Sequence, residues 1–246
     1  MEILLSIDGI IALLTLTFLE IILGVDNIIF ISIVSNKLPD HQQGKARTIG
    51  LTLALVLRIL MLLGISWIIG LEKSIIGPYE ITESLILDFS GKDIILFIGG
   101  LFLLAKSTTE IHHKIDHLEK KEETKSNKKA VLSTIITQIV FLDVIFSIDS
   151  ILTAVGLTEH VSLMIIAVII SMGVMLAFSG KISAFINKHP SLQLLALTFL
   201  ILIGFTLIME SFGQHVPKGY IYFAVFFSLT VEVLNIKMRN KSKSNA

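Results

Sequence analysis

Four acidic residues sit inside apolar stretches of this chain, and they form one pattern that occurs twice. Residues 18–29 read FLEIILGVDNII and residues 141–152 read FLDVIFSIDSIL. At an offset of 123, five of the twelve positions are identical, Glu20 is matched by Asp143, and Asp26 is matched by Asp149. An ionised carboxylate at the centre of a membrane helix costs about 2.5–3.5 kcal/mol even on the lenient insertion scale, so such residues mark ion or substrate paths. Neighbouring Asn27, Ser147 and Ser150 add neutral oxygens. On a helical wheel Asn27 lies about 20° from Glu20, and Ser150 about 20° from Asp143. All these groups are hard oxygen ligands. Carboxylate, carbonyl and water oxygens suit Mg, Ca and Mn, whereas zinc and copper sites favour His or Cys. The chain has no cysteine, and its seven histidines fall outside the apolar spans. The pattern favours Mn²⁺ or Ca²⁺ over Zn²⁺ as the bound or transported ion. Paired carboxylates can also exchange protons for metal, because like charges favour keeping one proton.

Spacing constrains how these groups can cooperate. Six residues of α-helix are about 9 Å of rise and about 120° of rotation. Both carboxylates of one regular helix therefore cannot hold one ion. Either the helix breaks between them or the two acids form separate levels. Gly24 and the matching Ser147 lie between the acids and could relax the helix there.

The elements that carry these residues are spanning helices. The chain has 246 residues, 53% of them hydrophobic and 16% charged, with a mean hydropathy of +0.84. Soluble domains carry about 25% charged residues. The fold class expected is an all-α integral membrane protein. A net charge of zero supplies no field for nucleic acid, and without cysteine there is no disulfide framework, thiolate metal site or Cys nucleophile. No organic cofactor is expected. Met1 and Glu2 supply no basic start to a cleavable signal, and the following apolar run is longer than a signal requires, so the first apolar segment is expected to remain as a span. Seven stretches approach the roughly 20 residues a bilayer needs: 8–34, 48–71, 93–109, 131–156, 161–179, 191–212 and 219–236.

Lys and Arg counts orient them. The segments 35–47, 110–130 and 180–190 and the C-terminal tail hold fifteen basic residues, and the opposite side holds Lys73, Lys92 and Lys218. The positive-inside rule places the N-terminus outside and the C-terminus in the cytoplasm. The first span then runs inward and the fourth outward, so residues 8–109 and 131–212 read as a 3+3 inverted repeat. The segment 110–130 joins them as a cytoplasmic loop, and a seventh span at 219–236 is appended to this single transporter domain. GLFLLAKS (100–107) resembles GFTLIMES (204–211), which extends the repeat. Inverted repeats place substrate sites near the midplane at the repeat interface. On this reading Glu20 and Asp143 share a central level, Asp26 lies about 9 Å towards the cytoplasm and Asp149 about 9 Å outward.

Other polar residues read more simply. Arg58 lies within the second span and is expected to pair with a carboxylate. Lys106 and Glu210 lie near span ends and can snorkel. Glu232 and Asn235 near the inner end of the seventh span suit a cytoplasmic mouth or a plain helix end. His112, His113 and His117 are expected on a solvated, lysine-rich loop.

These residues resemble the TerC family, named for tellurite resistance. The resemblance rests on FLEIILGVDN, on the spacing from Arg47 to Arg58, on GGLFLLAKSTTEIH at 99–112, DVIFSIDSI at 143–151 and VPKGYIYFAVFFSLTVEVLN at 216–235. It implies a multi-helix transporter of the lysine-exporter type and Mn²⁺ export across the bacterial cytoplasmic membrane. It carries metal binding onto Glu20, Asp26, Asn27, Asp143, Asp149 and Ser150. Tellurite itself is an oxyanion that would want Arg or Lys in its path, so resistance to it reads as an indirect effect of metal handling.

Two other functions remain open at this stage. Intramembrane aspartates can form a protease dyad that shares one proton, but the contexts Val25-Asp26 and Ile148-Asp149 lack the usual flanking residues, so the chain is not expected to be an enzyme. A metal-linked accessory role in secretion or envelope assembly is the other, with the secretion machinery or a second copy of the chain as partner besides the metal ion and the lipid bilayer.

Overall fold

The computed structural model describes residues 6–82, 85–119, 131–158 and 160–244. Helix α1 (Ile7–Ser35) starts where the Ser6 side chain accepts a hydrogen bond from the Gly9 amide, 3.0 Å away, with Asp8 in the first turn facing the helix dipole. Helix α2 (Asp40–Leu63) ends at Gly64, and a short α3 (Ile65–Gly70) follows. An antiparallel hairpin, β1 (Ser74–Thr82) and β2 (Leu85–Ser90), leads into α4 (Gly91–Glu119). The start of α4 is a reciprocal cap: the Ser90 amide donates to Asp93 Oδ2 at 2.8 Å, and the Asp93 amide donates to Ser90 Oγ at 3.2 Å. Helices α5 (Leu132–Leu157), α6 (Val161–Lys188), α7 (Pro190–Ser211) and α8 (Lys218–Ser244) complete the chain. Proline sits at the first turn of α7, where its missing amide does no harm. That helix closes on Gly213 at φ 73°, with the Gly213 and Gln214 amides donating back to Glu210 and Met209.

Seven of these helices are long and apolar enough to cross a membrane, and they correspond one for one to the seven spans read from sequence. Four boundaries move. The seventh span runs on as helix to Ser244, so the basic tail expected after residue 236 is largely helical. The third span runs on as helix to Glu119, so His112 and His113 stand exposed on α4 rather than on a loop, with His112 Nε2 3.4 Å from Asp116; the His117 side chain lies outside the described set. The fifth span continues to Lys188, so Lys181 and Lys188 are helical and only His189 separates α6 from α7. The second span begins earlier, at Asp40, and breaks at Gly64. Hydropathy finds where a helix leaves the apolar layer, not where its hydrogen bonding stops. The connection between the second and third spans contains the hairpin, which no strand expectation anticipated; Gly77-Pro78 interrupts the alternation that marks a strand.

The chain divides into two compact units, residues 1–95 with 125–184 and residues 96–124 with 185–246. In the first, α5 is the central element and packs against α1, α2 and α3. Half of its most apolar window is buried, more than in any other membrane-length helix. Gly50 lets α2 approach α5 closely: a Cβ there would stand 2.9 Å from Ile139. Gly24 does the same for α1 against Met175 of α6, where a Cβ would lie 2.2 Å from the sulfur. In the second unit, Gly100 of α4 and Gly204 of α7 face each other. A Cβ on Gly100 would lie 2.6 Å from the Gly204 carbonyl oxygen, and one on Gly204 would lie 3.0 Å from the Gly100 oxygen. Small residues at such crossings let helices pack by van der Waals contact where lipid offers no hydrophobic drive. Helix α7 also packs on α8. Outward-facing Phe18, Trp67, Phe178, Phe223 and Phe226 present large apolar surface, as lipid-facing helices must.

Candidate functional site

The first unit holds a buried charge cluster contributed by three helices. From α1 comes Glu20, from α5 Asp143, and from α2 Arg58, which are 3%, 5% and 2% exposed. Each arrives on a helix face that is otherwise core. On α2 the buried residues Gly50, Leu51, Ala54, Arg58 and Leu62 follow the 3–4 spacing of one stripe. On α5 the buried residues Ile139, Leu142 and Asp143 continue into Ser147 and Ser150. Arg58 is the hub. Its Nη1 donates to Glu20 Oε2 at 2.5 Å, its Nη2 to Asp143 Oδ1 at 3.0 Å and its Nε to Ser147 Oγ at 2.8 Å. The Ser147 hydroxyl donates in turn to Asp143 Oδ2 at 3.2 Å. Asn27 Nδ2 stands 3.5 Å from Asp143 Oδ1. Charges this buried persist only when paired and hydrogen-bonded. Here two carboxylates share one guanidinium, which leaves the cluster one negative charge in excess.

The six residues proposed from sequence do not all gather in one place. Glu20, Asp143 and Asn27 meet. Asp143 stands between the levels of Glu20 and Asn27 along α1, bridged to the first by Arg58 and approached by the second. Ser150 is buried on the same helix, 2% exposed, with its hydroxyl donating to the Ser147 carbonyl at 3.2 Å. Asp149 is half-buried, and among the described residues no three acidic or histidine side chains gather into one metal-sized group. The side chain of Asp26 lies outside the described set. Both α1 and α5 run unbroken through Gly24 and Ser147, so the acids within each helix stand at separate levels. Lys106 pairs with Glu110 at 3.3 Å, one turn along α4, and takes no part in the cluster.

Arg58 is the residue whose weight sequence reading understated. A pairing with one carboxylate was expected; it holds two and a serine. A signal existed. The offset of 123 that relates the acidic segments continues into the next helix, where GLTLALVLRIL (50–60) aligns with GVMLAFSGKIS (173–183). Four positions are identical and Arg58 is matched by Lys181. The match is not functional equivalence, because Lys181 is exposed, with Nζ 5.6 Å from the Phe178 ring centroid.

The sequence profile of the integral membrane protein TerC family matches residues 4–245, essentially the whole chain. This chain belongs to the TerC family. It is 49% identical to the UPF0053 inner membrane protein YgdQ of Escherichia coli K12, over 94% of this TerC chain and 93% of that one. It is 46% identical to a UPF0053 protein of Haemophilus influenzae over 95% of both chains. Against the longer UPF0053 inner membrane protein YoaE of E. coli K12 the identity is 45%, covering 93% of this chain but 43% of the relative, so the TerC unit also occurs within larger proteins. No solved structure matches the chain.

Proposed function

We propose that this TerC-family protein is a multi-pass inner-membrane transporter that exports a divalent cation, Mn²⁺ before Ca²⁺, in exchange for protons. The observation that carries the proposal is the meeting of Glu20 and Asp143 at one buried, oxygen-lined site with a single guanidinium between them. Two carboxylates with adjacent amide and hydroxyl oxygens make a hard-ligand set suited to Mn²⁺ or Ca²⁺. Asp26 and Asp149 serve as the steps towards the cytoplasm and the outside. The inner-membrane assignment follows the names of the E. coli relatives.

The 3+3 inverted repeat, with the N-terminus outside and the C-terminus inside, is part of this reading. Two facts support it. Glu20 and Asp143, counterparts at offset 123, bind the same guanidinium. Gly100 and Gly204, counterparts at offset 104, approach each other reciprocally, as residues related by a two-fold axis do. The protease reading fits less well: the buried pair is Glu20 with Asp143, and an arginine rather than a shared proton lies between them. A purely structural ion-pair cluster is the competing account, and the three bonds made by Arg58 favour it.

The test is Mn²⁺ flux into proteoliposomes of purified protein. Saturable flux that rises with an opposing proton gradient is expected, with Zn²⁺ a poor competitor. Inert vesicles would sink the transporter reading and leave the accessory or structural one.

A further inference from the structure

The charge count of the Arg58 cluster has a consequence for transport, which rests on the transporter reading above. With Arg58 in place, Glu20 and Asp143 offer one net negative charge. A divalent ion added to that arrangement would leave a buried site with a net positive charge and a guanidinium beside the metal. Without Arg58, the same two carboxylates and a divalent ion sum to zero. Metal and guanidinium are thus alternatives for the same oxygens: Arg58 already occupies Glu20 Oε2 and Asp143 Oδ1. Other groups on the packed elements do not substitute for it. Helix α3 carries no titratable residue; α1 adds Asp8 and Asp26, α5 adds Asp149, and all three are acidic. The basic residues of α2 other than Arg58 are His41, Lys45 and Arg47, all in its first turns; His41 is exposed, and Arg47, eleven residues from Arg58, donates to Ser183 at 3.3 Å.

We infer that Arg58 is a tethered counter-ion that takes the place of the transported cation in the empty carrier. When metal binds, the guanidinium withdraws from Glu20 and Asp143. When metal leaves, it returns to the two carboxylates and offsets part of their charge, so the empty site can change its access without two unpaired anions. A carboxylate pair stranded in an apolar core would otherwise hold the empty carrier in one state. Arg58 is a positioning and charge-balancing residue in this account, not a metal ligand. An arginine suits the role because its planar fork reaches both carboxylates at once.

The experiment compares wild type, Arg58→Lys and Arg58→Gln in proteoliposomes, in two modes. Tracer ⁵⁴Mn²⁺ exchange at equal metal on both sides requires only the loaded carrier to move. Net flux also requires the empty carrier to return. Arg58→Gln is expected to lower net flux roughly tenfold more than exchange. Arg58→Lys keeps a cation beside the two carboxylates and is expected to retain most of the wild-type ratio of net flux to exchange. Equal losses in both modes for Arg58→Gln, or an Arg58→Lys ratio as low as that of Arg58→Gln, would overturn the inference while leaving the transporter reading intact. If Arg58→Gln does not reach the membrane, Arg58→Lys decides alone: net flux retained along with exchange supports the inference, and loss of net flux, with or without exchange, overturns it. Absence of any wild-type flux would overturn both.

Discussion

Glu20 and Asp143 are counterparts in sequence but not copies in surroundings. Glu20 Oε2 receives Arg58, whereas Asp143 receives Arg58, Ser147 and the more distant Asn27 amide. That difference separates the two accounts of the cluster. If the carboxylates are the ion path, Glu20→Gln, Asp143→Asn, Asp26→Asn and Asp149→Asn should each reduce Mn²⁺ flux by more than about tenfold, a barrier change of only about 1.4 kcal/mol. Membrane abundance should hold, because neutralising one acid still leaves Arg58 a partner. If the cluster is structural, breaking one partnership should destabilise the fold by about 3–5 kcal/mol, and abundance should fall with activity. Immunoblotting of membranes beside flux separates the outcomes. That Glu20 and Asp143 are candidates for one site was legible in the repeat, which makes them counterparts at offset 123. The reach of Asn27 to Asp143 was not, because it depends on how α1 and α5 stagger, which no single-helix wheel contains. Nor was the threefold engagement of Arg58, although the continued repeat at 50–60 and 173–183 pointed at its helix.

Helices rather than loops set the geometry, and glycines set how closely those helices pass. Gly50 brings α2 against Ile139 and so carries Arg58, two turns further on, to α5. Gly100 and Gly204 do the same for α4 and α7 within their own unit. Adding a side chain at these positions forces packed elements apart, at a typical cost of about 1–3 kcal/mol. Gly50→Val and Gly100→Val should therefore lower the melting temperature of detergent-purified protein. Gly44→Ala should leave it unchanged, because the nearest atom to a Cβ there is the mobile end of Arg47 at 3.9 Å. Equal melting of all three variants would refute the close-approach argument. The seven spans were legible because apolar length is a direct consequence of bilayer thickness. Their ends were not, because Lys181, Lys188, His112 and His113 are polar enough to read as loop while their backbones continue the helix. Within the extracellular-assigned segment, the hairpin escaped notice because Gly77-Pro78 breaks the strand pattern that β1 otherwise carries.

At the scale of the molecule, the direction of the carboxylate ladder depends on orientation, for which the positive-inside rule weighs fifteen basic residues against three. If the N-terminus lies outside, α1 runs inward, Asp26 is the acid nearest the cytoplasm and Asp149 the one nearest the exterior. Metal leaving the cell would meet Asp26 first, and protons entering would meet Asp149 first. An inverted molecule would exchange those roles and turn the proposed exporter into an importer under the same proton gradient. The 110–130 segment carries six lysines and the 72–92 segment two, so the first should lie in the cytoplasm and the second outside. The chain has no cysteine, which makes single-cysteine labelling unambiguous. A cysteine at Ser84 should react with an impermeant maleimide in intact cells or spheroplasts. One at Ser126 should react only after the membrane is broken, and both should label equally in detergent. The reverse pattern would overturn the orientation and with it the assignment of entrance and exit. Labelling of both sites in intact spheroplasts would mean that the chain inserts in two orientations, and the ladder would then have no fixed direction.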